Sequence, residues 1–155
     1  MADWIEPGSK APDFTLPADD GGKVKLSALR GQNVVLYFYP RDMTPGCTRE
    51  ACAFRDSKPV LKKLGAAVFG VSTDDVASHE KFRDRYELNF PLLADVDHKV
   101  AEKYGAWREK NMYGKKSMGI IRSTYVIDEA GKIEKIYRNV KVDGHAEKIL
   151  EYFSE

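Results

Sequence analysis

Apolar positions along the chain switch between continuous runs and helical spacings. Val34 to Tyr39 is an unbroken apolar and aromatic run. A run that short and continuous predicts a central strand buried on both faces. Pro40 ends it, because proline cannot donate to a strand ladder. Ala67 to Ser72 predicts a second buried strand. Phe14 to Leu16 and Lys23 to Leu26 predict short strands around an Asp-Asp-Gly-Gly turn. A helix pattern starts near Cys47, carries Ala51, Phe54 and Leu61, and ends by Leu64, with Pro59 expected to kink or split it. Asp75 can cap a helix that sets Phe82 and Tyr86 on one face. Phe90 to Ala94 reads as a short extended piece. Asp97 can cap a short helix through Tyr104, with Gly105 where it would stop. Residues 106–119 read as a loop. Thr124 to Ile127 and Lys132 to Tyr137, around a turn at residues 128–131, predict a β-hairpin. Ala146, Ile149, Leu150 and Phe153 form the stripe of a final helix behind Asp143.

The predicted order is a small hairpin, two strand–helix units, a second hairpin and a helix. Parallel strands crossed over by helices, with an antiparallel edge, imply an α/β fold in three layers. The expectation is a thioredoxin-like fold: a central mixed β-sheet flanked by helices, with an N-terminal β-hairpin extension. One domain over residues 1–155 suits this length. A formal net charge of +1 creates no global field toward nucleic acid or an acidic membrane. No apolar run approaches the roughly 18 residues that span a bilayer. Met1 to Glu6 lacks a basic start and an apolar stretch, so a cytoplasmic protein is expected.

That location bears on the two cysteines, since a reducing compartment disfavours permanent disulfides. Cys47 follows a turn-rich loop, beyond the carboxyl end of the central strand, where sites gather in open α/β sheets. At a helix N-terminus, unpaired amides and the positive end of the dipole favour a thiolate. Thr44 can turn its hydroxyl toward the sulfur or toward a bound oxygen. Pro40 and Pro45 stiffen the loop. A free thiol with a pKa of about 8.5 is already a few per cent ionised at neutrality, so ionisation alone gains roughly 20- to 30-fold. Fast cleavage of an O–O bond needs donors aimed at the charge that develops on oxygen. Thr44, local amides and one cation are the natural set. Arg122, at the start of a predicted strand, is the candidate cation. On pattern alone a solvated surface arginine is the commoner reading.

Cys52 follows Cys47 by five positions. On one helix that spacing gives about 7.5 Å of rise and Cα atoms roughly 8–9 Å apart. Disulfides need less than about 7 Å. A bond between them requires the first turns to unwind, which points to a redox cycle between two conformations rather than a structural disulfide. The alternative makes Cys52 an apolar filler beside Phe54.

Pro40, Thr44 and Cys47 match the Pro-x₃-Thr/Ser-x₂-Cys signature of peroxiredoxins. Thr44-Pro-Gly-Cys-Thr-Arg-Glu-Ala-Cys52, with Gly119-Ile-Ile-Arg122-Ser-Thr, closely resembles the peroxiredoxin Q, or bacterioferritin comigratory protein, branch. The opening Gly8-Ser-Lys-Ala-Pro-Asp-Phe14-Thr-Leu16 is similar to that branch's start, and Glu50 matches a common acidic position. The resemblance implies a thiol peroxidase without metal or organic cofactor. It makes Cys47 the peroxidatic residue and Cys52 the resolving one, and assigns Arg122 to the active site, with Gly46 and Glu50 in support. It implies hydrogen peroxide and alkyl hydroperoxides as substrates, and thioredoxin, or glutaredoxin, as reductant. The chain lacks the C-terminal resolving cysteine of obligate dimers, so a monomer is expected.

Two other functions fit the same cysteines: a general thiol–disulfide oxidoreductase, and a redox sensor or holdase switched at Cys47. The spacing is not the Cys-x-x-Cys of thioredoxins. His79, His98 and His145 share no ligand spacing and fall on polar helix segments, so no metal site is read from them. Lys62-Lys63 and Lys115-Lys116 read as solvated charges. Trp4 and Trp107 read as packing residues, with the rim of the site as an alternative for Trp107.

Overall fold

A computed structural model describes residues 4–154, without the side chain of Met112; Met1–Asp3 and Glu155 lie outside it. The predicted central run is strand β3 (Asn33–Phe38). Its side chains alternate between two cores. Val34, Leu36 and Phe38 enter one, Val35 and Tyr37 the other, with Tyr39 continuing the second just beyond the strand. Period-two alternation in a strand covered on both faces requires this division. Strand β4 (Ala66–Ser72) pairs parallel with β3, and β5 (Leu92–Ala94) pairs parallel with β4. On the other side β8 (Ser123–Ile127) pairs antiparallel with β3, and β9 (Ile133–Tyr137) with β8. The sheet order β5-β4-β3-β8-β9 therefore puts β3 in the middle. A separate antiparallel pair, β1 (Thr15–Pro17) and β2 (Lys23–Lys25), forms the N-terminal extension and leads into a 3₁₀ turn at Leu26–Leu29. This is the expected mixed-sheet, thioredoxin-like architecture.

Helix α1 (Pro45–Lys63) starts two residues before Cys47 and runs through Pro59 without interruption. The ring removes the N–H that would bond to the Arg55 carbonyl. Asn89 Nδ2 donates to that carbonyl instead, at 3.0 Å. Arg55 Nη1 donates to the Tyr86 carbonyl at 2.6 Å, and Lys58 Nζ donates to that of Asn89. These bonds hold the second half of α1 to the turn after α2 (Val76–Tyr86), so the predicted split does not occur. Asp75 caps α2 as expected, its Oδ1 accepting the Ser78 amide at 2.8 Å. The amphipathic helix α4 (His145–Ser154) packs beside α1.

Three other expectations need correction. The short helix α3 spans Lys99–Lys103; His98 takes the N-cap position without a side-chain bond, and Asp95 accepts more of the helix's free amides than Asp97 does. Asp95 accepts the amides of Val100 at 3.2 Å and Ala101 at 2.8 Å, while Asp97 reaches only that of Lys99. Residues 106–119 are not a loop. They hold the hairpin β6 (Trp107–Met112) and β7 (Lys115–Ile120). Its two-residue turn has positive φ at both Tyr113 (54°) and Gly114 (81°), as a type I′ turn demands. His79 and His145 are buried, not set on polar faces. Trp107 stacks on His98 at 4.0 Å and packs with the core opposite Cys47, while the guanidinium groups of Arg108 and Arg138 lie 4.4 and 5.2 Å from the Trp4 ring. Among the described residues, no helix is long and apolar enough to cross a membrane.

Candidate active site

Loop residues 39–44 carry the chain from β3 to α1, so the first turn of α1 stands at the carboxyl end of the central strand. Thr44 is the N-cap residue, and Pro45, with no N–H to leave unpaired, occupies the first helical position. The first amide with an intrahelical partner is that of Thr48, bonded to the Thr44 carbonyl at 2.8 Å. The amides of Gly46 and Cys47 therefore remain free to face a developing negative charge. Cys47 itself is only 1% exposed. Cys52, on the same unbroken helix, is half-buried, and both thiols are free.

Arg122 comes to this point from just before β8. Its Nη2 donates to Cys47 Sγ at 3.3 Å, and its Nη1 to Glu50 Oε1 at 2.6 Å. The carbonyl of Arg122 accepts the Val140 amide at 3.0 Å, which fixes the backbone from the opposite side. A Cβ built on Gly46 would lie 3.3 Å from Nη2 and 3.9 Å from Val142 Cγ2, so the glycine leaves the guanidinium room. The arginine that pattern alone left among surface residues thus joins two residues of α1. Beneath them Tyr37 stacks on Phe54 at 4.7 Å. Burial, then the charges of Glu50 and Cys47, push the Tyr37 phenol far above its ordinary range, so it is neutral.

The AhpC/TSA family model matches residues 7–136, most of the chain, including Pro40, Thr44, Cys47, Glu50, Cys52 and Arg122. The chain belongs to the AhpC/TSA family. Relatives within that family include peroxiredoxins named Bcp or peroxiredoxin Q. Peroxiredoxin Bcp of Bacillus subtilis is 50% identical over 147 residues, 95% of this chain and 94% of the relative. Peroxiredoxin Bcp of Escherichia coli is 44% identical over 151 residues, 97% of each. A Cys-to-Ser variant of Xylella fastidiosa PrxQ superposes with a TM-score of 0.93 at 34% identity, covering 99% of this chain and 98% of the other. The bacterioferritin comigratory protein of Xanthomonas campestris gives 0.89 at 37% identity, with the same coverage.

Not every residue expected in this peroxiredoxin's site is arranged as expected. The Thr44 hydroxyl donates to the Arg41 carbonyl at 2.9 Å, not to the sulfur. Its oxygen can therefore only accept from an incoming group. Pro40 is half-buried in the loop just beyond β3. Lys110, on β6, went unnoticed because its segment read as a loop. Its side chain crosses Gly119, where a Cβ would lie 3.1 Å from Lys110 Cδ. Burial first, then the nearby Arg122, lower the Lys110 ammonium, while Cys47 raises it. His145 bonds Thr124 Oγ1 through Nε2 at 2.8 Å; burial, then Lys148 and Arg122, lower it to about 4, so it is neutral at physiological pH.

Burial raises the Glu50 carboxyl from 4.5 to about 7, outweighing the attraction of Arg122. Arg122 shows the reverse balance: burial disfavours its charge, but Glu50 and Cys47 outweigh burial and raise it. Between pH 4.5 and about 7 the folded chain holds a proton on Glu50 that the unfolded chain has released. Stability from this group is complete at low pH and falls as pH rises through that window, by on the order of 3 kcal/mol in all. Glu50→Gln is expected to remove that slope. Urea midpoints at about pH 5 and about pH 8 would differ less in the variant than in the wild type. An unchanged difference would mean another group titrates.

Proposed function

We propose that Cys47 reduces hydrogen peroxide and alkyl hydroperoxides and that Cys52 resolves the product. The observation that carries this reading is the single guanidinium donating to both Cys47 Sγ and Glu50 at the N-terminus of α1. The Cys47 thiolate attacks one peroxide oxygen. The O–O bond breaks, its electron pair leaves on the other oxygen, and a proton from solvent completes water or an alcohol. Arg122 and the free amides of α1 stabilise the charge on the departing oxygen. The Thr44 oxygen accepts a hydrogen bond from the peroxide O–H and orients it. Alkyl peroxide reduction is the activity studied in the Xanthomonas relative, which supports the same substrate class here. The near-complete burial of Cys47 favours small or slender peroxides.

The sulfenic acid on Cys47 then condenses with Cys52. The Cys52 thiolate attacks the oxidised sulfur, and hydroxide leaves as water after protonation. Helical geometry keeps the two cysteines roughly 8–9 Å apart at Cα, so the first turns of α1 unwind before this step. A dithiol donor, thioredoxin or alternatively glutaredoxin, reduces the disulfide by exchange and restores both thiols. The working unit is a monomer in the reducing cytoplasm. No metal or organic cofactor enters the cycle.

Cys52→Ser tests the assignment. The variant is expected to consume about one peroxide per chain in the presence of thioredoxin and to accumulate sulfenic acid on Cys47, detectable by mass after trapping. Sustained turnover at the wild-type rate would exclude Cys52 as the resolving residue. In the wild type, a single stoichiometric oxidation despite excess donor would favour a sensor. Fast insulin reduction with slow peroxide turnover would favour a general oxidoreductase.

A further inference from the structure

Behind the loop that carries Thr44 lies a buried polar cluster in which none of the reacting groups takes part. His79, on α2, is 0% exposed. Its Nε2 lies 2.9 Å from the Leu93 carbonyl, which can only accept, so Nε2 carries a proton. Its Nδ1 lies 2.7 Å from Asp42 Oδ2. A second proton must sit between that nitrogen and that carboxylate oxygen, so the two side chains form a proton-sharing pair. Burial opposes a charge on the imidazole, but the Asp42 carboxylate outweighs it and holds His79 above its ordinary range. Asp42 also accepts from Tyr39 Oη at 2.6 Å and from Ser78 Oγ at 2.8 Å. Its backbone amide donates to Asp74 Oδ2 at 2.8 Å, and Ser72 Oγ donates to the same oxygen at 2.7 Å. Asp42, Asp74 and His79 offer atoms within 4.8 Å of one another, as a cation site would. Neither imidazole nitrogen has a free lone pair to give, so the cluster reads as a hydrogen-bonded anchor.

What it anchors is one residue of a six-residue connection. Asp42 is followed by Met43, whose φ of 67° is a left-handed conformation that a side chain disfavours. Met43 is 41% exposed, so little packing of its own side chain holds it there. Such a conformation persists only where its neighbours over-determine it. On one side Asp42 is fixed by Asp74 in the loop after β4, by α2 and by Tyr39. On the other, Thr44 is fixed by the first helical bond of α1 and by its hydroxyl on the Arg41 carbonyl. We propose that Asp42 and His79 are positioning residues for the oxidation of Cys47, acting through the Arg41–Thr44 loop. They set Thr44 and the first amides of α1 relative to Arg122, and touch neither peroxide nor sulfur themselves. The proposal rests on the peroxidatic role of Cys47.

The test separates the two steps of the cycle. Stopped-flow oxidation of His79→Ala by hydrogen peroxide is expected to be about tenfold slower or worse, since ångström-scale misplacement of reacting groups costs up to about 100-fold. Disulfide formation from the sulfenic acid requires the same loop to let go, so it is expected to be as fast as in the wild type or faster. His79→Asn places an amide N–H near the position of Nδ1 and is expected to restore oxidation to within about threefold of the wild type. Should His79→Ala fail to fold, Asp74→Ala applies the same test from the half-buried rim by removing the acceptor of the Asp42 amide. Oxidation within about threefold of wild type in the alanine variant, equal slowing of both steps, or no rescue by asparagine would each overturn the proposal. Wild-type protein that is not oxidised at all would instead overturn the assignment of Cys47.

Discussion

Cys47→Ser is expected to abolish peroxide consumption, with the rate falling by about 1,000-fold or more, to the level of a blank. The replacement keeps the shape of the site. A serine oxygen occupies nearly the position of Sγ and can accept the same N–H from Arg122, so the Arg122–Glu50 ion pair and the packing of α1 should survive. What it lacks is an ionisable, polarisable nucleophile. Serine hydroxyls become reactive where an adjacent base takes their proton. Among the described residues, the side chain bonded to Cys47 Sγ is a guanidinium, which cannot accept one. Comparing peroxide loss at equal concentrations of folded protein, judged by a melting temperature within a few degrees of wild type, isolates the chemistry. Residual turnover above about a tenth of wild type would move the reaction to Cys52, the remaining thiol.

Much of this arrangement is legible in the sequence, for identifiable reasons. The Val34–Tyr39 run, the cap at Asp75 and the stripe of α4 are local signals, each generated by neighbours a few residues apart. The position of Cys47 followed from one strand and one helix start. The hairpin β6–β7 escaped because Arg108–Lys110 and Lys115–Ser117 are polar, so no apolar alternation marks them, and because Tyr113-Gly114 is a weak turn signal compared with Asn-Gly. The buried histidines escaped for a different reason. His79 is surrounded in sequence by Ser78, Glu80 and Lys81, while the partner that makes its burial tolerable, Asp42, is 37 residues earlier. His145 depends on Thr124 in the same way. Arg122 is the instructive intermediate: 75 residues from Cys47, it was legible through family resemblance and not through any pattern in its own neighbourhood. Polar groups buried by distant partners are the class that periodicity cannot see, and here they include both the Arg122 guanidinium and the cluster behind the loop.

Arg122→Ala is expected to slow the oxidation of Cys47 by about 100-fold or more, the usual consequence of losing one donor to a developing oxyanion. Two effects combine in that variant, and they can be separated. The first is direct: the N–H 3.3 Å from the sulfur disappears, and with it the charge that would meet the departing oxygen. The second is indirect. Glu50 loses the partner bonded to its Oε1, while its Oε2 already has none. With its pKa at about 7 even beside the guanidinium, the carboxyl without it is pushed higher still and is protonated at neutral pH. The variant therefore does not carry a buried unpaired carboxylate at pH 7, and its fold should hold. Glu50→Gln in the Arg122→Ala background fixes the neutral form of that side chain. If residual charge on Glu50 contributed to the loss of rate, the double variant would recover in part; if the loss came from the missing donor, both variants would oxidise equally slowly, which is the expected result. An Arg122→Ala rate within about threefold of wild type would leave the arginine as a structural partner of Glu50 and leave the stabilisation of the departing oxygen to other donors such as the helix amides.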